Sequence, residues 1–168
     1  MKVLWFSVTP SLFHSYSNGH NGGGWIASLE RIVRQVQEVE LGIAFNFAAE
    51  GFVYEQDGVK YYPISHESLE TYKQIIDDFK PDLIQIFGSE NDFGRICDTT
   101  EVPVVIHMQG CLTPCHNALL PVGMSKTDFI LQKGLSLRYR YIGLRSESAF
   151  RKRAKRELQT IGKCRYFM

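Results

Sequence analysis

What this chain of 168 residues lacks narrows it first. No stretch approaches the roughly 20 apolar residues of a transmembrane helix. Met1 and Lys2 lead into an apolar run that turns polar by Ser7 and Thr9. That run is too short for the apolar region of a secretory signal, so the cytoplasm is the expected compartment. The four cysteines, Cys97, Cys111, Cys115 and Cys164, make no disulfide framework for a chain of this size, and reduced thiols are expected. Charge of one sign is also missing: 19 Lys and Arg against 18 Asp and Glu leave a net +1, and no global field argues for nucleic acid. There are no internal repeats and no low-complexity segment. No G-x-G-x-x-G follows the first apolar run, which excludes the tight dinucleotide-binding turn.

What is present reads as one domain, residues 1–168, long enough to bury about two thirds of its unfolded surface. Val3 to Val8 is an almost uncharged run, as in a parallel strand buried on both faces. A polar stretch and NGGG follow, then a helical pattern with Trp25, Ile26, Leu29, Ile32, Val33 and Val36 on one side. Glu30, Arg31, Arg34 and Glu38 fall on the other side, where Glu30 and Glu38 read as solvated charges. Further strands are expected at Gly42 to Phe47, Val59 to Ile64, Asp82 to Phe87 and Val102 to Met108. Helices are expected at Ser65 to Phe79, stopped by Lys80 and Pro81, and briefly at Asp92 to Asp98. Cys111 to Gly123 has no clear period and reads as a long loop. Helical patterns return near Ser125–Lys133 and Glu147–Ile161, and Cys164 to Met168 reads as the start of a further buried strand, cut from a longer protein.

Alternating strands and helices imply an α/β, doubly wound, mostly parallel sheet of Rossmann-like type. Ligands bind such sheets beyond the carboxyl ends of the strands. That rule gathers the loops Thr9–Gly24, Gly88–Asp92 and His107–Cys115. Gly22, Gly23 and Gly24 lie just before the first helix, where bare backbone N–H groups can approach a phosphate or a sugar; the plainer reading is a flexible connection. His107 ends an apolar strand at the ligand-binding rim, or else is a core histidine bonded to carbonyls. Glu90 and Asn91, with Asp92, suit sugar hydroxyls or the capping of the next helix. Cys111, Cys115 and His116 are zinc-type ligands, but their spacing lacks the paired C-x-x-C pattern and no metal is expected. Arg138 to Arg156 holds eight basic residues and one acid, Glu147: a solvated helix face, or a surface for an anionic membrane or a phosphorylated acceptor.

Four features in order resemble the N-terminal half of a GT-B glycosyltransferase of the family 4 retaining type. They are KVLWFSVTP with its delayed NGGGWIASLE, FKPDLIQIFG, VPVVIHMQG, and AFRKRAKRELQTIGKCRYFM. Met108 and Gln109 stand between His107 and Gly110, where the family's histidine directly precedes its glycine. The resemblance implies an acceptor-side domain facing a second domain that holds the nucleotide-sugar through a Glu-(seven residues)-Glu motif. No such domain is present in this chain, and Glu30 and Glu38 imitate the motif's spacing in the wrong domain. It further implies transfer of a sugar, with retention, from a nucleotide-sugar to a glycan, a lipid-linked acceptor or another acceptor. His107 would be the catalytic-site group, and Gly22, Gly23, Gly24, Glu90 and Asn91 would bind substrate. No cofactor beyond the donor substrate is implied, because backbone N–H groups and basic side chains can neutralise the leaving diphosphate. No nucleic-acid partner is implied, and this half alone should be inactive. Two rivals share the sequence pattern: a sugar-nucleotide 2-epimerase of the same architecture, and a non-enzymatic flavodoxin-like binding domain.

Overall fold

A computed structural model describes residues 1–13, 24–47, 53–120, 122–131 and 136–168. The chain is an α/β protein built on a seven-stranded, mostly parallel mixed sheet. In chain order the elements are β1 (Lys2–Ser7), α1 (Trp25–Val33), β2 (Glu40–Asn46), β3 (Tyr54–Gln56), β4 (Val59–Ile64), α2 (Leu69–Phe79) and β5 (Leu83–Phe87). A 3-10 helix (Asp92–Asp98), β6 (Val104–His107), α3 (Leu112–Asn117), α4 (Lys126–Leu131), α5 (Leu137–Lys163) and β7 (Tyr166–Phe167) complete it. The strand order is β3-β4-β2-β1-β5-β6-β7. Among the described strands only β3 runs antiparallel, in a hairpin with β4 that turns at Asp57 and Gly58. The six parallel strands follow the order third, second, first, fourth, fifth, sixth, which is compatible with a Rossmann-like fold.

Alternation along β1 explains the two cores. Leu4 and Phe6 point to one face, where Tyr72, Ile76 and Phe79 of α2 and Phe93 and Ile96 of the 3-10 helix cover them. Val3 and Trp5 point to the other, under Ile26 of α1 and beside Ile43, Phe45 and Tyr61. A strand buried on both faces needs no polar alternation, which is why β1 reads as a continuous apolar run. Ser68 starts α2 by accepting the Thr71 amide at 3.1 Å. Lys80, in the left-handed conformation, ends it just before Pro81.

Several expectations need correction. Glu30 is not a solvated charge: it is fully buried, and α1 ends at Val33, leaving Glu38 exposed beyond it. The Cys111–Gly123 stretch is not all loop, because α3 forms within it. The last helix starts ten residues earlier than the expected Glu147, at Leu137. The final strand joins the sheet beside β6 but is an edge, with Tyr166 and Phe167 exposed rather than buried. Cys97 and Cys164 are not free thiols: a disulfide joins them, with Cα atoms 5.4 Å apart, and only Cys111 and Cys115 are free. This pair joins the end of the 3-10 helix to the residue that caps α5. Compartment rules predict reduced thiols, but packing brings these two residues within bonding distance.

Candidate functional site

The carboxyl ends of β1, β5 and β6 lie side by side, since Phe6 pairs with Ile86 and Phe87 pairs with His107. The Gly88 amide donates to the His107 carbonyl at 3.0 Å and locks the last two strand ends together. Gly88 has φ +90°, a conformation that favours glycine. A Cβ at Gly88 would lie 2.8 Å from Glu90 Oε2 and 3.0 Å from Asn91 Nδ2. Glu90 and Asn91 therefore fold back over the end of β5, where both remain partly accessible.

His107 is held between aromatic rings. Trp25, the first residue of α1, lies 4.7 Å from it between centroids at an interplanar angle of 33°, and Phe87 lies at 5.7 Å. Trp25 and Phe87 meet edge to face at 5.4 Å, and Phe87 meets the buried Trp5 in the same way at 5.1 Å. The imidazole Nδ1 of His107 is buried and has no hydrogen-bond partner among the described residues. Gly24 precedes Trp25 with φ +57° and, being glycine, supplies no capping side chain to α1. The amino end of α1, with its partial positive charge, thus stands beside the histidine.

Of the expected site residues, Gly24, Glu90, Asn91 and His107 reach the same rim of the sheet. Gly22 and Gly23 lie outside the described residues. Trp25 and Phe87 are additions: both read in the sequence as ordinary apolar positions, and only the fold brings them to His107.

Two buried carboxylates hold the flanks of this rim. Glu30 Oε2 accepts the Leu12 amide at 3.0 Å, fixing the loop that leaves β1. Its Oε1 accepts Arg34 Nε at 2.8 Å and the Tyr61 hydroxyl, and Arg34 reaches on to Asp57 at 3.0 Å. Burial and then the Glu30 hydrogen bond push the Tyr61 phenol well above its ordinary range. On the other flank Glu157 of α5, 1% exposed, accepts the amides of Leu112 and Thr113 at 2.9 Å each and the Ser89 hydroxyl at 3.0 Å. Burial alone would raise the pKa of Glu157, but the two amides and then Ser89 outweigh it and hold the carboxylate below its usual range. Glu157 thereby ties the loop after β5 to the start of α3. The sequence signal for Glu30 was its place in an i, i+4 pair with Arg34; nothing local marks Glu157.

A separate cavity of about 620 Å³ lies away from the strand ends, between α4 and α5, lined by Phe129, Ile142, Phe150 and Arg153 among others. Cys111, just before α3, and Cys115 within it are exposed. Among the described residues no group of three or more His, Cys, Asp or Glu is placed to hold a metal ion, and no helix is long and apolar enough to cross a membrane. No family model matches the chain, and no curated protein sequence matches it.

Proposed function

We propose that this chain is the acceptor-side half of a GT-B-type retaining glycosyltransferase, a doubly wound domain that works against a second, nucleotide-sugar-binding domain. The observation that carries the reading is the unpartnered, buried Nδ1 of His107 at a strand end, beside the uncapped amino end of α1. A buried polar atom left without a partner is destabilising by about 1–3 kcal/mol, and such atoms concentrate where a ligand or a reaction supplies the partner. The nearby helix end favours the diphosphate of a nucleotide-sugar, or another anion. Glu90 and Asn91 offer acceptor and donor atoms for sugar hydroxyls, and Trp25 offers a half-exposed aromatic face of the kind on which pyranose rings stack.

In this mechanism His107 hydrogen-bonds the sugar being transferred and stabilises charge as the bond from the anomeric carbon to the diphosphate oxygen breaks, nucleoside diphosphate leaves and the acceptor hydroxyl oxygen takes its place. The acceptor is a glycan or a lipid-linked molecule. The test is release of nucleoside diphosphate from UDP-, GDP- and ADP-linked hexoses. The two-domain protein turns them over when supplied with acceptor, and His107→Ala lowers the rate about 100-fold or more. Residues 1–168 alone give no turnover. Robust transfer by residues 1–168 would overturn the two-domain reading. A two-domain protein that spares every nucleotide-sugar would overturn the transferase reading itself.

A further inference from the structure

The outward face of α5 combines exposed apolar and cationic side chains in a single stripe. The helix runs 27 residues, roughly 40 Å. Its inward face in the second half is fixed by three buried residues, Ala154, Glu157 and Thr160. On the opposite side Leu137, Tyr141 and Leu144 follow at spacings of four and three residues, which places them on one stripe. They are 80%, 63% and 48% exposed, an unusual state for three large apolar residues in line. The same stripe continues through Ser148 to Arg151, Lys152 and Lys155, with the cations exposed. Of the two acids of α5, Glu157 is buried on the inward face, and Glu147 is engaged by Lys126 at 3.0 Å and lies 3.6 Å from His116. This leaves the outward stripe cationic.

We propose that this stripe docks the protein on an anionic bilayer surface, with Leu137, Tyr141 and Leu144 entering the headgroup–acyl boundary and Arg151, Lys152 and Lys155 meeting lipid phosphates. Both halves of the stripe are satisfied there at once: the interface takes up apolar side chains, and anionic lipids complement the cations. A nucleic-acid backbone would complement the cations but leave the three apolar residues in water. The inference stands apart from the transferase reading, because it needs neither His107 nor a nucleotide-sugar.

The experiment is co-sedimentation of the chain with vesicles of phosphatidylcholine alone, and of phosphatidylcholine containing phosphatidylglycerol. The expected result is strong binding only to the anionic vesicles, weakening as salt is raised. Each cation contributes about fivefold to such partitioning. Arg151→Glu with Lys155→Glu should therefore lower it at least about tenfold, and Tyr141→Asp with Leu144→Asp should lower it severalfold. Circular dichroism on both pairs separates lost binding from lost folding, and Arg151→Gln with Lys155→Gln provides a milder second pair. Equal binding to the two vesicle types, no binding to either, unchanged binding in folded variants, or tighter binding to duplex DNA or polyglutamate than to the anionic vesicles would each overturn the proposal.

Discussion

The indole of Trp25 lies against the imidazole of His107, with ring centroids 4.7 Å apart and planes inclined at 33°. Two residues 82 positions apart in sequence meet because α1 begins beside the carboxyl end of β6. The chain has two tryptophans, and they report on different places. Trp5 is 2% exposed, whereas Trp25 is 45% exposed. Acrylamide should therefore quench one population and spare the other. Trp25→Phe is expected to remove most of the quenchable emission and to leave a spectrum shifted to the blue. Persistence of the full quenchable fraction in that variant would mean that Trp25 is not at the open rim.

Glu30 pins the start of the loop after β1 at Leu12. It is fully buried and bonded to Leu12, Arg34 and Tyr61 at once. Glu30→Ala leaves the Arg34 guanidinium without its buried counter-charge, and a loss of about 3–5 kcal/mol is expected in urea unfolding. Released loop backbone near Leu12 should also be cut sooner by protease. Alkaline titration reads this cluster together with two phenols, Tyr62 and Tyr72, in the core on the other face of the sheet. Tyr61 is pushed up by burial and then by Glu30, and Tyr62 and Tyr72 are also pushed up, with burial the first cause of each. The folded chain keeps phenolic protons that the unfolded chain releases above about pH 10. Stability is thus present below that value and should fall as pH rises beyond it. A flat urea midpoint across that range would contradict the assignment.

Glu157 predicts the opposite limb. Its folded-state pKa is depressed, net of its burial, by the Leu112 and Thr113 amides and Ser89. Its contribution is present above the ordinary glutamate value of about 4.3 and is lost as pH falls through the depressed folded value. Glu157→Gln should lower Tm at neutral pH and flatten the acid limb of the Tm-against-pH curve. An equally steep acid limb in the variant would show that other carboxylates govern it. Because Glu157 joins Ser89 to the start of α3, hydrogen exchange at the Leu112 and Thr113 amides should accelerate in the same variant.

Periodicity and turn chemistry made most of the sheet legible. The continuous apolar runs of β1 and β5, the Asp57-Gly58 turn before β4, and the Lys80-Pro81 stop after α2 are all local signals, and each falls within a residue or two of its observed element. Placing His107 beside Gly24, Glu90 and Asn91 followed from one topological rule about strand ends. What stayed hidden depends on contacts between distant residues. Glu30 shares its side of α1 with Arg31 and Arg34, so its pattern says surface, yet Tyr61 from β4 and Leu12 give it buried partners. Cys97 and Cys164 are 67 residues apart, and no spacing rule pairs them. The first half of α5 has no buried residue among its described side chains and so offered no inward stripe to read.

Gly94 tests the packing that holds α5 in place. It lies in the 3-10 helix, and a Cβ built there would fall 2.1 Å from Thr160 Oγ1 and 2.6 Å from its Cγ2. Thr160 is buried on α5, one turn beyond Glu157, so it has little room to move aside. Gly94→Ala should therefore push the two helices apart and destabilise the chain by about 1–3 kcal/mol. Such a loss corresponds to a Tm lower by roughly 2–4 °C for each kcal/mol in a chain of this size. Thr160→Ala removes the atoms that the new methyl would strike and leaves a small gap of its own. The double variant should be more stable than the sum of the two single losses predicts, with a coupling of about 0.5–3 kcal/mol. Strict additivity would show that the two helices do not meet at this pair. If the coupling is found, the disulfide at Cys97 and Cys164 closes a contact that packing has already made.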